Sequence, residues 1–236
     1  MVKVNSNSSK KAMKAEEKAE AGNPEIILSF CAHNDDQILG AGGTLAKYAQ
    51  QGKIFKSYIF SFGESSHPWL QQKFTARMRI KEAQRSEKVL GGNDIYFFGI
   101  KERNFIQEIE KRDFKKHLKK IIRQNNPSKI FTHSRDDPHP DHRVVHKVIL
   151  EVVDELKYKG DVYTFNVWNP VSITTRRNPK LVVDISDTFK KKLASFKIHK
   201  SQKITFLTLW WDIYRRDWIN GLLNRCKYAE VFSKVR

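Results

Sequence analysis

Apolar runs alternate with amphipathic stretches along most of the chain, and this alternation predicts an α/β fold. The segment EIILSFCA, residues 25–32, is almost continuously apolar, as is typical of a parallel strand buried on both faces. Further strands are predicted at residues 54–62, 94–100, 129–133, 161–168 and 180–186. Strands that alternate with helices at these spacings form βαβ units, so we expect a mostly parallel sheet in a single layered domain.

Glycine and proline residues mark the ends of the predicted helices. A helix is expected to begin at the Gly42-Gly43 pair and to end at Gly52. Three more are predicted over residues 67–90, 113–125 and 142–156, and the chain after residue 186 is expected to be mostly helical. Residues 1–23 lack a core-facing apolar stripe, which predicts a flexible or weakly helical tail. The domain itself is expected to span residues 24–236.

Composition narrows the class of protein. No apolar run is long enough to span a bilayer, the first residues lack the apolar core of a secretory signal, and Cys31 and Cys226 form no CxxC pair. A reducing, cytoplasmic setting is therefore expected. The 44 Lys and Arg against 26 Asp and Glu give a formal charge of +18, but they are spread over the whole chain, so no nucleic-acid partner is expected. The charge is compatible with an anionic substrate or with peripheral contact to an anionic membrane surface.

An aromatic face marks the segment LTLWWDIYRRDWINGLL, residues 207–223. Trp211, Tyr214, Trp218 and Leu222 recur there at helical spacing. This pattern predicts packing against the core or against a second subunit, which makes a homo-oligomer one expected arrangement. The alternative is a helix that lies on a membrane surface or stacks on sugars.

Two clusters of His and Asp residues follow predicted strands. His33, Asp35 and Asp36 come directly after the first strand, and THSRDDPHPDH, residues 132–142, covers the end of the fourth. The carboxyl ends of parallel strands meet at one edge of an open α/β sheet, where the strand order reverses. We therefore expect both clusters to face one crevice. Because adjacent carboxylates repel each other, we also expect a positive ion between them.

Imidazole and carboxylate are ligands that zinc accepts, and a catalytic zinc keeps one position open for water. His33, Asp36 and one histidine of the second cluster form such a set, and the residues alone leave open which histidine it is. Asp35 is then placed to take a proton from the metal-bound water, with His139 and Asp141 beside the open position. The same set suits Fe2+, although hydrolysis needs no redox change and so favours zinc. A plainer interpretation is that the carboxylates cap the following helix.

Five stretches of the chain carry a family resemblance: AHNDDQILGAGGTLAKYAQQGK, RIKEAQRSEKVLGG, HPDHRVVH, VDISDTFKKKLASFKIHKSQ and YAEVF. They are similar, in this order, to the AHPDDE…GGT motif, the RxxEa…LG helix, the second motif, the K…H.SQ helix and the C-terminal AE-F ending of the LmbE-like (PIG-L) family of zinc-dependent N-deacetylases. The resemblance runs from about residue 25 to the C-terminus. The pairing of AHxDD with HPDH at this separation is its specific part.

The resemblance implies a Rossmann-like three-layer fold and removal of acetyl groups from N-acetylglucosamine-type substrates. It implies His33, Asp36 and His142 as zinc ligands and Asp35 as the general base. The nucleophile would be a water that the metal activates. The substrate would be a small acetylated amino sugar, and an anionic or lipid-linked form stays open.

Further roles follow from the same resemblance. It implies that His139, oriented by Asp141 and protonated, steadies the tetrahedral intermediate, and that Arg79 contacts the substrate. Glu102, in GIKERNF, stands in for an acidic sugar-binding position of the family. Asn34 and Gln37 depart from the usual proline and glutamate, and neither is an expected ligand.

Two other functions remain as alternatives at this point. A nucleic-acid or anionic-surface binding protein would carry a structural metal site, closed by four protein ligands. An amidase would act on another N-acyl substrate at the same open site.

Overall fold

The computed structural model describes residues 23–64, 71–92, 94–102, 104–111, 113–168 and 177–236, without the side chains of residues 203–209. The predicted tail and the start of the helix predicted at residue 67 lie outside these ranges. A single domain over residues 24–236 stays a prediction.

A mostly parallel sheet forms the middle layer of the fold. Its strands are β1 (Ile26–Cys31), β2 (Ile54–Ile59), β3 (Asp94–Phe97), β4 (Lys129–His133), β5 (Asp161–Phe165), β6 (Lys180–Asp184) and β7 (Ala229–Lys234). They are arranged in the order β3-β2-β1-β4-β5-β7-β6. All neighbouring strands from β3 to β5 pair in parallel, whereas β7 runs antiparallel to both β5 and β6.

Helices cover both faces of this sheet. They are α1 (Asp36–Gln50), α2 (Gln72–Leu90), α3 (Phe105–Lys111), α4 (Phe114–Asn125), α5 (Pro140–Glu155), α6 (Phe189–Lys197) and α7 (Lys203–Leu223), with a 3-10 turn at Lys200–Gln202. Along β1, Ile27 and Cys31 belong to one apolar core while Leu28 and Phe30 belong to the other. This alternation shows that β1 is buried on both faces, and the expected three-layer α/β architecture is confirmed.

Two elements and one helix boundary differ from the sequence prediction. The C-terminal segment was expected to be helical, yet β7 is a strand inserted between β5 and β6, and the short helix α3 was not predicted. The helix predicted to begin at Gly42 begins at Asp36, because the glycines serve packing rather than a helix start. A Cβ at Gly40 would lie 2.1 Å from the Phe165 ring, so glycine lets α1 approach β5 closely.

The aromatic face of α7 is exposed to solvent. Trp211 is 73% exposed and Leu222 58%, so packing of this face against the core of the same chain is excluded at these positions. No helix in the described ranges is long and apolar enough to cross a membrane.

Candidate metal centre and active site

The two polar clusters lie at the point where the strand order reverses. β1 and β4 are parallel neighbours, and the chain proceeds outward from them through β2 on one side and β5 on the other. Both strands therefore deliver their following residues to the same edge of the sheet. The cluster after β1 and the cluster at the end of β4 face one crevice, as expected from the sequence.

The carboxylates of the first cluster point in different directions. Asp35 occupies the position just before α1, but its side chain makes no capping hydrogen bond to that helix. Asp36, the first residue of α1, accepts a hydrogen bond of 2.7 Å from the backbone N–H of His33 through Oδ2. Neither carboxylate therefore serves as a simple helix cap. Asp36 turns toward the histidines, and Asp35 turns toward Arg79.

Three side chains from the two clusters converge on one point. His33 Nδ1 lies 3.2 Å from His142 Nε2. Asp36 spans the same gap, with Oδ2 3.4 Å from His33 Nδ1 and Oδ1 3.3 Å from His142 Nε2. The structure thus brings together the three residues that the resemblance implied as ligands. Two further groups among the described residues could also hold an ion, His33–His139–Asp141 and His133–Asp137–His142, so the choice of ligands stays a prediction.

The outer nitrogens of His33 and His142 also lie near carboxylates. His142 Nδ1 lies 3.0 Å from Asp137 Oδ1, and His33 Nε2 lies 3.6 Å from Asp141 Oδ2. The inner nitrogens, His33 Nδ1 and His142 Nε2, face each other and the Asp36 carboxylate. Two imidazole nitrogens and one carboxylate that converge in this way are a ligand set that a cation can bridge. The donor set therefore fits a divalent metal ion.

The electrostatics of the cluster also favour added positive charge. Burial alone raises the pKa of Asp36, but the surrounding His142, His133 and His33 outweigh it and hold that pKa well below its usual range. Burial lowers the pKa of His33 and His142, yet Asp36 and the neighbouring carboxylates reverse the effect and raise these pKa values to about 10 and about 9. Excess negative potential of this kind attracts a cation.

His133 and Asp137 contact the ligand candidates Asp36 and His142, and the sequence analysis gave neither residue a role in the site. His133 is fully buried, and its Nε2 accepts a hydrogen bond of 3.0 Å from the backbone N–H of Ala32, so it links β4 to the end of β1. Its ring stacks on that of His142 at 3.9 Å. The carboxylate of Asp137 accepts hydrogen bonds from the backbone N–H of His139 and of Val167. The position of Asp137 within the second cluster of His and Asp residues is the sequence feature that could have identified it.

Arg79 holds Asp35 at the wall of the crevice. Its Nη2 lies 3.6 Å from Asp35 Oδ1, and its Nη1 donates a 3.1 Å hydrogen bond to the carbonyl of Gly63. Gly63 has a φ of +72°, and a Cβ there would lie 2.2 Å from Arg79 Nη1. Glycine is therefore required for the guanidinium to reach its place. Arg79 is only 3% exposed, so its charge is available to Asp35 and to the crevice rather than to bulk solvent.

His139 stands just before helix α5. Its Nδ1 accepts a 3.2 Å hydrogen bond from the backbone N–H of Asp141, so Nε2 carries the proton in the neutral ring. Asp141 orients His139 through its backbone, while its carboxylate faces His33. Burial, followed by the neighbouring His33 and His142, lowers the pKa of His139. This lowering of the pKa disfavours the protonated His139 expected from the sequence, and the role of His139 in the reaction stays a prediction.

Most of the site residues expected from the sequence line one crevice. His33, Asp35, Asp36, Arg79, Glu102 and His139 all line it, and Asp141 and His142 lie directly behind. Glu102 Oε1 is 3.9 Å from His33 Nε2. The remaining wall is formed by Leu39, Val167, Trp168 and Gln202.

Fold and site together define a Rossmann-like α/β protein with a cluster of His and Asp residues that could hold a metal ion at the carboxyl edge of its sheet. The model of the PIG-L family, described as GlcNAc-PI de-N-acetylase, matches residues 28–153, which is more than half of the chain. The chain belongs to this PIG-L (LmbE-like) family, as the sequence motifs indicated.

Individual relatives agree with this assignment at modest identity. A probable N-acetyl-alpha-D-glucosaminyl L-malate deacetylase 2 of Bacillus cereus is 27% identical over 188 residues, covering 75% of this chain and 83% of its own. The 4-oxalmesaconate hydratase of Pseudomonas putida is 26% identical over 211 residues, covering 80% and 76%. The structure of N,N'-diacetylchitobiose deacetylase from Pyrococcus horikoshii superposes with a TM-score of 0.75 at 22% identity, covering 100% of this chain and 94% of that one. An N-deacetylase is thus supported, although one of the relatives is a hydratase.

Proposed function

We propose that this protein is a zinc-dependent N-deacetylase that acts on a small acetylated amino sugar. The observation that carries the proposal is the convergence of His33 Nδ1, His142 Nε2 and the Asp36 carboxylate, which lie within 4.8 Å of one another beside an open crevice. A catalytic metal needs three protein ligands and a free position, and this set supplies the three. Fe2+ or another divalent ion suits the same ligands.

The metal ligands come from two distant parts of the chain. His33 and Asp36 follow β1, and His142 lies in the first turn of α5. When bound, the ion supplies a Lewis acid that polarises the amide carbonyl and lowers the pKa of water to about 7. The Asp137 carboxylate keeps the proton of His142 on Nδ1, and so leaves Nε2 available as a ligand.

Asp35 is the proposed general base. It lines the crevice next to the ligand Asp36, and its carboxylate is paired with Arg79 rather than with the metal ligands. The nearby guanidinium fixes the rotamer of Asp35, so that its carboxylate can accept the proton of the attacking water. Arg79 lines the same wall and is placed to bind an oxygen of the substrate.

His139 is the proposed donor to the oxyanion that forms on the acetyl carbonyl. The Asp141 backbone N–H occupies its Nδ1, so the free Nε2–H can donate toward the crevice. The loss of one such donor lowers kcat by about two to three orders of magnitude in other hydrolases. The leaving amine then takes up a proton from Asp35 or His139.

The character of the crevice supports a sugar substrate. Its walls combine carboxylates, an arginine and an amide with the half-exposed ring of Trp168. Polar groups that can bind hydroxyls beside an apolar ring face are what a pyranose ring requires. A structural metal site, the alternative considered from the sequence, would need a fourth protein ligand, and each candidate group among the described residues has three.

The test measures acetate released from N-acetylglucosamine, diacetylchitobiose and phosphorylated or lipid-linked acetyl sugars, with and without a chelator. We expect release by the zinc-loaded protein, loss on chelation and recovery when zinc is added back. Asp35→Asn should keep the metal and lose at least about a hundredfold in kcat, whereas His33→Ala should lose the metal itself, measured by elemental analysis. Hydration of 4-oxalmesaconate without any acetate release would instead favour the chemistry named for the hydratase relative.

A further inference from the structure

The inner face of α7 is firmly attached to the rest of the fold. Asp217 is fully buried, and its carboxylate lies 2.5 Å from Lys192 Nζ on α6. Arg216 donates hydrogen bonds to the carbonyl of Asn166 at 2.8 Å and to that of Leu39 at 2.5 Å. The helix is therefore held against α6, α1 and the chain after β5, and its outer face is presented on a fixed element.

The outer face of α7 carries a group of large apolar side chains that are between 38% and 76% exposed. They are Trp211, Trp218, Ile219, Leu222 and Leu223, which we call the α7 face. Residues at this helical spacing lie beside one another on one side of the helix. A single exposed apolar side chain needs no explanation, but several side by side mark an interaction surface.

Basic side chains border the α7 face near both ends. Lys197, the last residue of α6, places its Nζ 5.2 Å from the centre of the Trp210 ring in the first half of α7. Beyond the C-terminal end of α7, Lys227 Nζ lies 5.7 Å from the centre of the Tyr228 ring. The Tyr228 hydroxyl donates a 2.8 Å hydrogen bond to that of Tyr214 on α7, which ties this lysine to the same side of the helix. Both lysines are exposed to solvent.

The charge within the α7 face is balanced, so the bordering lysines make the surface positive. Arg215 lies between the two tryptophans, and its Nη2 is 3.4 Å from Asp212 Oδ1. Asp212 is the one exposed acid among residues 210–223, whose side chains the structure describes. The whole chain adds a formal charge of +18. The surface therefore combines exposed aromatic and aliphatic groups with positive potential.

This charge decides between the occupants of the α7 face. A second copy would bring the same lysines and the same net charge of +18 against their equals, and like charges oppose such an association. Residues 1–23 lack an apolar stripe in their sequence, so they do not match the face either. A surface of anionic lipid is complementary both to the apolar side chains and to the charge.

We propose that the α7 face binds the surface of an anionic lipid membrane. The apolar side chains enter the headgroup region, where tryptophan rings are favoured, and Lys197 and Lys227 contact the anionic headgroups. Contact is peripheral, because no helix in the described ranges is long and apolar enough to cross a membrane. The proposal uses neither the metal site nor the proposed activity, so it is tested by binding alone.

The experiment measures co-sedimentation of the full chain with sucrose-loaded vesicles. One set contains phosphatidylcholine alone and the other also contains about 30% phosphatidylglycerol, each at about 50 mM and about 500 mM salt. At the lower salt concentration we expect at least about tenfold tighter binding to the anionic vesicles. The higher salt concentration should remove most of this difference, because it screens the lysines.

One pair of double variants tests the apolar part of the surface. Trp218→Ser/Leu222→Ser should weaken binding to the anionic vesicles at least about tenfold, because the membrane no longer buries these side chains. Phe74→Ser is the matched control, since it removes a 61% exposed aromatic ring from α2, and it should stay within about twofold of wild type. With brominated lipid, fluorescence quenching should be smaller in Trp211→Phe/Trp218→Phe than in wild type, a conservative change that keeps the proposal testable if the serine variant folds poorly.

A second pair tests the charges. Lys197→Gln/Lys227→Gln should weaken binding to the anionic vesicles about tenfold to thirtyfold at low salt. Lys116→Gln/Lys120→Gln removes the same charge from exposed positions on α4 and should change binding less than about threefold. An equal loss in both variants would mean that net charge rather than this surface binds the vesicles, and would overturn the proposal.

Two further results would overturn it. One is the absence of binding by the wild-type protein to anionic vesicles at about 1 mM lipid. The other is a dimer in analytical ultracentrifugation that Trp218→Ser/Leu222→Ser converts to a monomer, without vesicle binding by either protein. That result would assign the α7 face to a second copy of the chain.

Discussion

The Nδ1 of His142 lies 3.0 Å from a carboxylate oxygen of Asp137, so this aspartate orients the ring with its Nε2 toward Asp36. Asp137 is 1% exposed and also accepts N–H bonds from the chain after β5. The loop after β4 and the chain after β5 are thus both hydrogen-bonded to the Asp137 carboxylate. Burial opposes ionisation of Asp137, but the adjacent His142 lowers its pKa to about 2, so it remains ionised at neutral pH.

We predict that Asp137→Asn weakens metal binding by about ten- to a hundredfold, a typical cost of losing the carboxylate partner of a ligating histidine. The amide can accept from His142 but supplies no negative charge, and its NH2 group opposes the preferred tautomer. The measurement is the dissociation constant for zinc in competition with a chromogenic chelator. Asp136→Asn, one residue away, is the control and should stay within twofold of wild type.

Arg79→Lys should lower kcat/KM about a hundredfold while zinc content stays unchanged. Lysine keeps the charge but not the planar fork that reaches Asp35 and the Gly63 carbonyl together, and a misplaced base is costly. Arg77→Lys on the exposed side of the same helix is the matched control. Wild-type kcat/KM in Arg79→Lys would show that the guanidinium does not position Asp35.

Glu87 makes stability depend on pH. Its carboxylate is buried and accepts a hydrogen bond from the amide of Gln37. The family usually has glutamate in place of Gln37, so this glutamine spares Glu87 a second buried carboxylate beside it. Burial, opposed by hydrogen bonds from Ser57 and Gln37, raises its pKa from 4.5 to about 7. The folded state therefore holds its proton more tightly, and this contribution to stability is complete below pH 4.5 and is lost as the pH rises through 7.

Glu87→Gln should remove this dependence. Relative to the variant, the wild type should lose on the order of 3 kcal/mol of unfolding free energy between pH 4.5 and pH 8, from the size of the pKa shift. Urea unfolding at the two pH values measures it. Glu110→Gln, at an exposed site, is the control and should change the difference between the two pH values by less than about 0.5 kcal/mol. An equal loss in Glu87→Gln and wild type would contradict the prediction.

Lys192 is the centre of a buried charge network. Its Nζ lies 2.5 Å from Asp217 and 2.7 Å from Glu230, and all three side chains are at most 1% exposed. Glu230 also accepts from the backbone N–H of Gly43 and Thr44, so the network joins α6, α7 and β7 to the middle of α1. This explains the lysine of the K…H.SQ motif and the glutamate of the AE-F ending.

Lys192→Met should destabilise the protein by about 3 to 5 kcal/mol, because two buried carboxylates lose their cation. The neighbouring Lys191 is exposed on the same helix, and Lys191→Met should change the free energy of unfolding by less than about 0.5 kcal/mol. Urea titration of both variants gives the comparison. A loss below 1 kcal/mol for Lys192→Met would mean that the carboxylates find other partners or protons.

The sequence by itself determined the strands β1 to β6 and the family. Period and composition suffice for these, because a strand buried on both faces is a continuous apolar run, and each motif of fixed spacing lies within one short continuous stretch of the chain. It also named the residues of both clusters, since His and Asp are recognisable as ligand types wherever they stand.

Only the tertiary structure decided what joins these pieces. Three examples are contacts between residues far apart in the chain: β7 lies between β5 and β6, the glycines inside α1 permit contact with Phe165, and Glu82 binds Ser201. The convergence of His142 with His33 and Asp36, and the hydrogen bond from the Asp141 backbone N–H to His139 Nδ1, have the same origin. Local sequence carries no information on which distant groups meet, and the tautomer, charge and reach of a side chain are set by the groups it meets.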